Sequence, residues 1–441
     1  MPNAAIENER AAGGMEEWMS LVVGIDIGTS GVRAMAVDAD GAIVGEARSA
    51  LPAPERDGAR LSQDPALWWG GVEACLMTLA EFVDPASIAA LAVDGTSGTM
   101  LAVDEAGTPL GPGRMYNDGA AVDAAALIGR HAPQTSAAHG VTSGLAKAME
   151  LAVLHPARIL HQADWIAGRL AGRFDMTDEN NALKTGYDPV AREWPAWIAA
   201  TGFDMGLLPH AVAPGTAIGP INAAIAARFS LPSTALVVAG TTDGCASFLA
   251  TGADVAGDAV SALGTTLTVK LLSDRPIFSP PHGVYSHRLG ERWLAGGASN
   301  SGGAALLQFF SAEAMKALEA RLDPARPTGL DYYPLPKPGE RFPIADPQLA
   351  PRVTPRPNDD AAFLQGLLEG VASVEALGYR LLAELGGPAL RRVISVGGGA
   401  RNPAWTRIRA AKLGVEVSTA VTDEAAYGTA RLARLAVGDR A

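Results

Sequence analysis

The sequence predicts an α/β protein of two lobes, each a mixed β-sheet flanked by helices, with a cleft between them. Three observations predict it. At 441 residues the chain has room for two to three domains of about 150 residues, each with its own core. Apolar runs of strand length alternate with helical stretches, the order that builds sheets covered by helices. A strand followed by a Gly-rich hairpin opens each half, at Asp26–Gly31 and again at Leu263–Thr266, so the second half coarsely repeats the first.

The elements follow in order. After a polar tail over residues 1–20, expected to be flexible, LVVGIDIGTSGVRAMAVDADGAIVGEARS reads as three strands joined by a Gly-rich turn and a turn at Asp40-Gly41. A helix is expected around Trp68 to Phe82, and an apolar strand from Ile88 to Asp104 turns back through Gly95 to Gly98. Residues 120–174 are Ala-rich and read as mostly helical, and 178–197 as irregular. The pattern restarts near Pro214–Pro220, which sets the expected lobes at 21–218 and 219–441. The second lobe then reads as a helix, a strand-turn-helix around Ala235–Ala253, two hairpins bending at Gly264 and Gly290, and a Pro-rich excursion over 323–357. That excursion is expected to be ordered, because Tyr332, Tyr333 and Phe342 suit packing better than free linker. A long helix over 359–385, the strand RRVISVGG and helices over 403–413 and 424–437 close the chain.

Composition narrows the function. Apolar residues make up 48% and charged residues 19%, which is globular. A net charge of −12 with no basic run disfavours nucleic acid and anionic membranes as partners, yet backbone amides and Mg²⁺ can still draw in an anionic nucleotide. No run of about 18 apolar residues is present. The first twenty residues hold Glu7, Glu9, Glu16 and Glu17, unlike a signal peptide, so a cytoplasmic protein is expected. Cys75 and Cys245 read as buried thiols, and His282 and His287 lack ligand partners nearby in sequence.

Four motifs carry chemistry. Asp26-Ile27-Gly28-Thr29-Ser30-Gly31 puts a carboxylate at a strand end before small residues whose amides can approach phosphate oxygens, although Gly and Asp also dominate ordinary turns. Leu263-Gly264-Thr265-Thr266 repeats the device in the other half. Gly397-Gly398-Gly399-Ala400-Arg401-Asn402-Pro403 leaves bare backbone between a strand and a helix, suited to a nucleoside, without the spacing of a dinucleotide fingerprint. Asp243, in Gly240-Thr241-Thr242-Asp243-Gly244, is either a helix cap or a base for a sugar hydroxyl.

In this order, over about Leu21 to Ala436, the four motifs resemble the FGGY family of carbohydrate kinases, of the actin-like, ribonuclease H-like ATPase superfamily. The resemblance implies ATP and Mg²⁺ as cofactors. ATP would meet Gly28, Thr29, Ser30, Gly264, Thr265, Thr266, Gly302, Gly303, Gly398, Gly399, Ala400 and Asn402. Mg²⁺ would lie near Asp26 and Asp243, with Asp243 as catalytic base. The sugar would meet Asp26, Thr29, Asp94, Thr96, Ser97, Asn117, Asp118 and Asp243. Further matches at Gln63-Asp64-Pro65, Asn181–Lys184 and Gly339-Glu340-Arg341-Phe342-Pro343 also fit plain packing or turns.

The substrate implied is a small ketose phosphorylated on a primary hydroxyl. Tyr116 and Ala120 stand where many relatives carry Trp and Arg. With the Gly95-Thr96-Ser97-Gly98 turn and the short chain, this is similar to the compact D-ribulose kinase branch, giving D-ribulose 5-phosphate. Xylulose, another ketose or a polyol are the alternatives, and an actin-like ATPase without a sugar substrate is the alternative of another class. A monomer or homodimer is expected.

Overall fold

A computed structural model of the chain describes residues 20–438. The expected tail, Ser20 apart, lies outside the described residues. Two compact units are found, one formed by residues up to Ala250 together with those from Asp423 onward, the other by Thr251–Thr422.

In the first unit, β1 (Leu21–Ile27), β2 (Gly31–Val37) and β3 (Ile43–Ala50) form the expected antiparallel meander. β4 (Ile88–Gly95) then lies parallel to β1, and β6 (Leu236–Val238) lies parallel to β4, with β5 (Ala217–Pro220) antiparallel at the edge. The two inner strands read as near-continuous apolar runs because both faces are covered. On one face α1 (Pro65–Leu79) and α2 (Gln162–Ala171) bury Trp68, Val72, Trp165 and Ile166. On the other lies α6 (Ala425–Gly438), contributing Ala430 and Ala433 to a small-residue layer with Val22, Ala90 and Val238. That helix approaches so closely that a Cβ at Gly24 would stand 1.9 Å from the carbonyl oxygen of Ala426.

The second unit repeats the plan. β7 (Asp258–Leu263), β8 (Leu267–Ser273) and β10 (Arg292–Ser299) form an antiparallel meander, with β9 (Tyr285–Leu289) added at its edge. β11 (Arg392–Val396) lies parallel to β7, and β12 (Glu416–Thr419) parallel to β11. Counted from the meander, both sheets thus run third strand, second, first, then two parallel strands. α4 (Asp360–Glu384) and α5 (Pro403–Leu413) cover the core of this unit.

Three expectations need correction. The boundary falls after Ala250 rather than at 218/219, because β6 completes the first sheet and α3 (Asp243–Ala250) packs on α6, which returns to that sheet. Asp243 therefore belongs to the first unit. The run Ile88–Asp104 is no hairpin: Met100–Val103 leaves for a separate small sheet, pairing with Arg158–His161. Residues 178–197 include a short helix, Glu179–Leu183, capped by Asp178. The Pro-rich excursion packs as expected, with Tyr332, Tyr333 and Phe342 all buried.

Candidate active site

The first unit contains a polar cavity of about 500 Å³, lined by Asp26, Gly28, Thr29, Arg33, Thr96, Tyr116, Asp243, Ser247, Asp423, Glu424 and Ala425. Strand ends build it. Asp26 is the penultimate residue of β1, and the turn after it is closed by the amide of Gly28 on the carbonyl of Gly31. Thr96 follows β4, and a backbone bridge between Gly95 and Thr242 brings the start of α3 to the same end of the sheet. The carbonyl of Thr242 accepts from the amides of Cys245 and Ala246, closing the first turn of α3, while the Asp243 carboxylate accepts from its neighbour Gly244 at 2.6 Å.

The cavity concentrates negative charge. Burial raises the Asp26 carboxyl to about 6, with the charges of Asp243 and Glu424 adding to the shift and a hydrogen bond from Asp94 and the Arg33 charge opposing it. Arg33 reaches Asp26 at 3.4 Å and Glu424 at 3.6 Å. Asp94 is pushed well above the carboxylate range, first by burial and then by Asp26. Lys184 is lowered by burial, against the attraction of Asp243.

The expected sugar residues separate into two groups. Asp26, Thr29, Thr96 and Asp243 line the cavity. Among the described residues the buried hydroxyl oxygen of Ser97 has no hydrogen-bond partner, and Thr96 is held by Thr99 at 2.6 Å and Gln162 at 3.1 Å. Asp94 does not face the cavity. It is fully buried, and its carboxyl accepts a hydrogen bond from Thr429 of α6. Asp118 is also fully buried and fully used: Arg114 grips both oxygens at 2.7 and 2.9 Å, and the amides of Leu61 and Ala120 add one bond each. It anchors the loop carrying Tyr116. Asn117 is exposed and stands outside the cavity lining.

Sequence reading missed Arg33, Ser247, Asp423, Glu424 and Thr429. Arg33 had a signal, since the short hairpin puts it opposite Asp26 in the antiparallel register. Glu424 and Thr429 had none, arriving from some 400 residues downstream.

In the second unit, the expected nucleotide residues form two groups. The turns Gly264–Thr266 and Ser299–Gly303 are bonded to each other, Gly303 donating to Gly264 at 2.9 Å and Ala304 to Thr265 at 3.0 Å. At the end of β11, Gly398 opens onto free space, whereas Gly399 packs on Trp405, Ala400 is buried and the Asn402 side chain caps α5 by accepting from Trp405 at 2.9 Å.

Mg²⁺ fits the first unit's cavity. Among the described residues no group of three His, Cys, Asp or Glu could cage a metal, but Mg²⁺ bound with a nucleotide needs only one or two carboxylates beside phosphates and water. Asp26 and Asp243 would supply them. A polyphosphate would find open space at the exposed Gly264, where a Cβ would meet nothing closer than 3.8 Å.

Comparison with known proteins agrees on the family. Residues 21–250 match the profile of the FGGY family of carbohydrate kinases, N-terminal domain, and residues 259–437 that of its C-terminal domain. The chain is 25% identical over 450 residues to the xylulose kinase of Klebsiella pneumoniae, covering 96% of this chain and 91% of the relative. It is 26% identical to that of Escherichia coli K12, covering 94% and 90%. A crystal structure of a xyloylose kinase from Brucella ovis superposes with a TM-score of 0.84 at 25% identity, covering 95% of this chain and 91% of that one.

Proposed function

The chain belongs to the FGGY family of carbohydrate kinases, and from that premise we propose that it phosphorylates a primary hydroxyl of a small ketose, with D-ribulose the first candidate, using Asp243 as base. The observation that carries this reading is the cavity in which Asp243 shares one polar space with Asp26, Thr96 and Tyr116.

Thr96, Thr29 and Tyr116 supply hydrogen-bonding groups and an aromatic wall, the combination a sugar needs to exchange water for protein without leaving hydroxyls desolvated. Asp243 accepts the proton of the primary hydroxyl as its oxygen attacks the γ-phosphorus of ATP; the bond to the β,γ-bridging oxygen breaks and ADP leaves with that electron pair. General-base help of this kind is worth about 10² to 10⁴ in rate. Mg²⁺, held at Asp26 and Asp243, would neutralise charge on the phosphates. Lys184 adds a cation near Asp243, and Arg33 one near Asp26. The turn at Gly264–Thr266, with Gly264 and Thr265 exposed, and its partner turn at Gly302 would meet the phosphates, and Gly398 would lie beside the nucleoside.

Xylulose is the second reading, favoured by the names of the curated relatives. Tyr116 and Ala120, with the Gly95–Gly98 turn, favour D-ribulose. Among the described residues no helix is long and apolar enough to cross a membrane.

The test incubates the protein with Mg-ATP and a panel of pentuloses, heptuloses and polyols, reading ADP and sugar phosphate by mass spectrometry. A preference for xylulose or glycerol over D-ribulose overturns the substrate choice, and ATP turnover indifferent to sugar overturns the kinase reading in favour of a partner-coupled ATPase. Asp243→Ala should keep nucleotide binding and lose at least about 10²-fold in turnover.

A further inference from the structure

Glu340 lies in the Pro-rich excursion, 4% exposed, and no ion pair to it occurs among the described residues. A carboxylate so buried needs hydrogen bonds to offset lost hydration. It has four: from the Ser299 hydroxyl at 2.6 Å, the Asn300 amide at 2.7 Å, the Tyr333 hydroxyl at 3.0 Å and its own neighbour's amide, Arg341, at 2.9 Å. Two of these donors, Ser299 and Asn300, begin the turn that runs to Gly303. The Asn300 side chain returns a bond to the carbonyl of Gly339 at 3.0 Å, so the turn and the excursion hold each other from both sides.

From that turn the bonding continues outward. Ser301 donates its amide to the Ser299 hydroxyl at 2.9 Å, and its carbonyl accepts from Leu267 at 2.7 Å. Gly303 and Ala304 bond to Gly264 and Thr265 as described above. Between them, Gly302 sits at φ +141°, where a Cβ would stand 2.8 Å from the carbonyl carbon of Thr266. The hairpin turn and the second Gly turn therefore move as one piece, and the charged end of that piece is Glu340. Bonds to a charged acceptor are shorter and about twice as strong as neutral ones, so they resist displacement.

We propose that Glu340 is a positioning residue for ATP, fixing the paired turns at Gly264–Thr266 and Ser299–Gly303 without touching the nucleotide. The proposal rests on the kinase reading, in which those turns take the phosphates. It also assigns the 323–357 excursion a part in nucleotide binding beyond packing on α4.

The experiment uses the full chain and measures ADP affinity by titration calorimetry, together with KM for ATP, KM for sugar, kcat and Tm. Glu340→Gln keeps the shape and removes the charge; it should weaken ADP binding and raise KM for ATP about tenfold, with KM for sugar changed less than twofold. Tyr333→Phe removes one bond to the same carboxylate away from the turn and should change ADP affinity less than threefold. Should Glu340→Gln fail to fold, Ser299→Ala must show the same selective loss of ADP affinity. A lowered Tm with ADP affinity and KM for ATP unchanged gives Glu340 a purely structural role and overturns the proposal. A wild-type chain that binds no ADP sinks the kinase reading and this inference together, whereas wild-type affinity in Glu340→Gln sinks the inference alone.

Discussion

Asp26 and Asp94 stand side by side in register on the parallel strands β1 and β4, and the charge of Asp26 adds to burial in pushing Asp94 well above the carboxylate range. Two buried acids in contact cannot both ionise cheaply, so Asp94 keeps its proton and Asp26 carries the charge. The arrangement backs the Asp26 carboxylate from below: Thr429 fixes Asp94, Asp94 lies beside Asp26, and Asp26, itself buried, lines the cavity.

A stability prediction follows for Asp26→Asn. The folded-state pKa of about 6 lies above the ordinary value of 3.8, so the fold binds this proton more tightly than the unfolded chain does. The stability it contributes is fully present below about pH 4 and is lost as pH rises through about 6. Asn is neutral throughout. Without nucleotide, Asp26→Asn should be more stable than wild type at pH 7.5 by roughly 1–3 kcal/mol, and this gain should fade by pH 4.5. Activity should fall at least about 10²-fold, since the carboxylate is the group offered to Mg²⁺. Melting temperatures at the two pH values check it, and an unchanged or lower Tm at pH 7.5 would contradict the pairing.

A second prediction separates anchoring from ligand contact at Asp118. Burial alone would raise its pKa, but the Arg114 guanidinium and the amides of Ala120 and Leu61 hold it below the ordinary carboxylate value. Arg114→Met would leave that carboxylate buried with only its two amide bonds, at a cost of about 3–5 kcal/mol. Asp118→Asn should cost less but still lower Tm, by loosening the loop from Arg114 to Ala120. Thermal melts and sugar kinetics on both variants decide: a raised KM for sugar with Tm unchanged would make Asp118 a ligand after all.

Much of this was legible in the sequence, and the limits are physical. Both Gly-rich hairpins announced themselves because a turn's residue types are dictated locally. Asp26 and Asp243 stood out for the same reason, as carboxylates at strand and helix ends. The lobe boundary did not, since β6 is three residues long and its place depends on pairing with β4 some 140 residues earlier. Asp94 and Asp118 looked like sugar ligands, being polar residues beside turns. What made them internal supports were Thr429 and Arg114, and only the first of these lies far away in sequence. Arg114, four residues before Asp118, was within reach of a local reading.

A third prediction concerns Lys147, whose side chain is fully buried and whose ammonium donates to the carbonyls of Met115 and Tyr116, both at 3.1 Å. Burial pushes its pKa down to about 7, opposed by Asp118 and assisted by Lys184 and Arg114. Between about pH 7 and 10 the unfolded chain holds this proton and the folded protein does not, so the contribution to stability rises with pH across that window. Lys147→Met keeps the aliphatic stem, removes both donors and removes the titration. The stability difference between wild type and Lys147→Met should therefore shift in favour of wild type from pH 7 to pH 9, while titrations common to both cancel. Near pH 7 the relief of a buried charge offsets much of the lost hydrogen bonding, about 1.5–3 kcal/mol per charged bond, so the variant should fold. It should nonetheless bind sugar poorly, because the carbonyls that set Tyr116 at the cavity wall are no longer held. Denaturant melts at both pH values and KM for the preferred ketose measure the two effects, and a difference in stability that stays flat with pH would rule out a depressed Lys147.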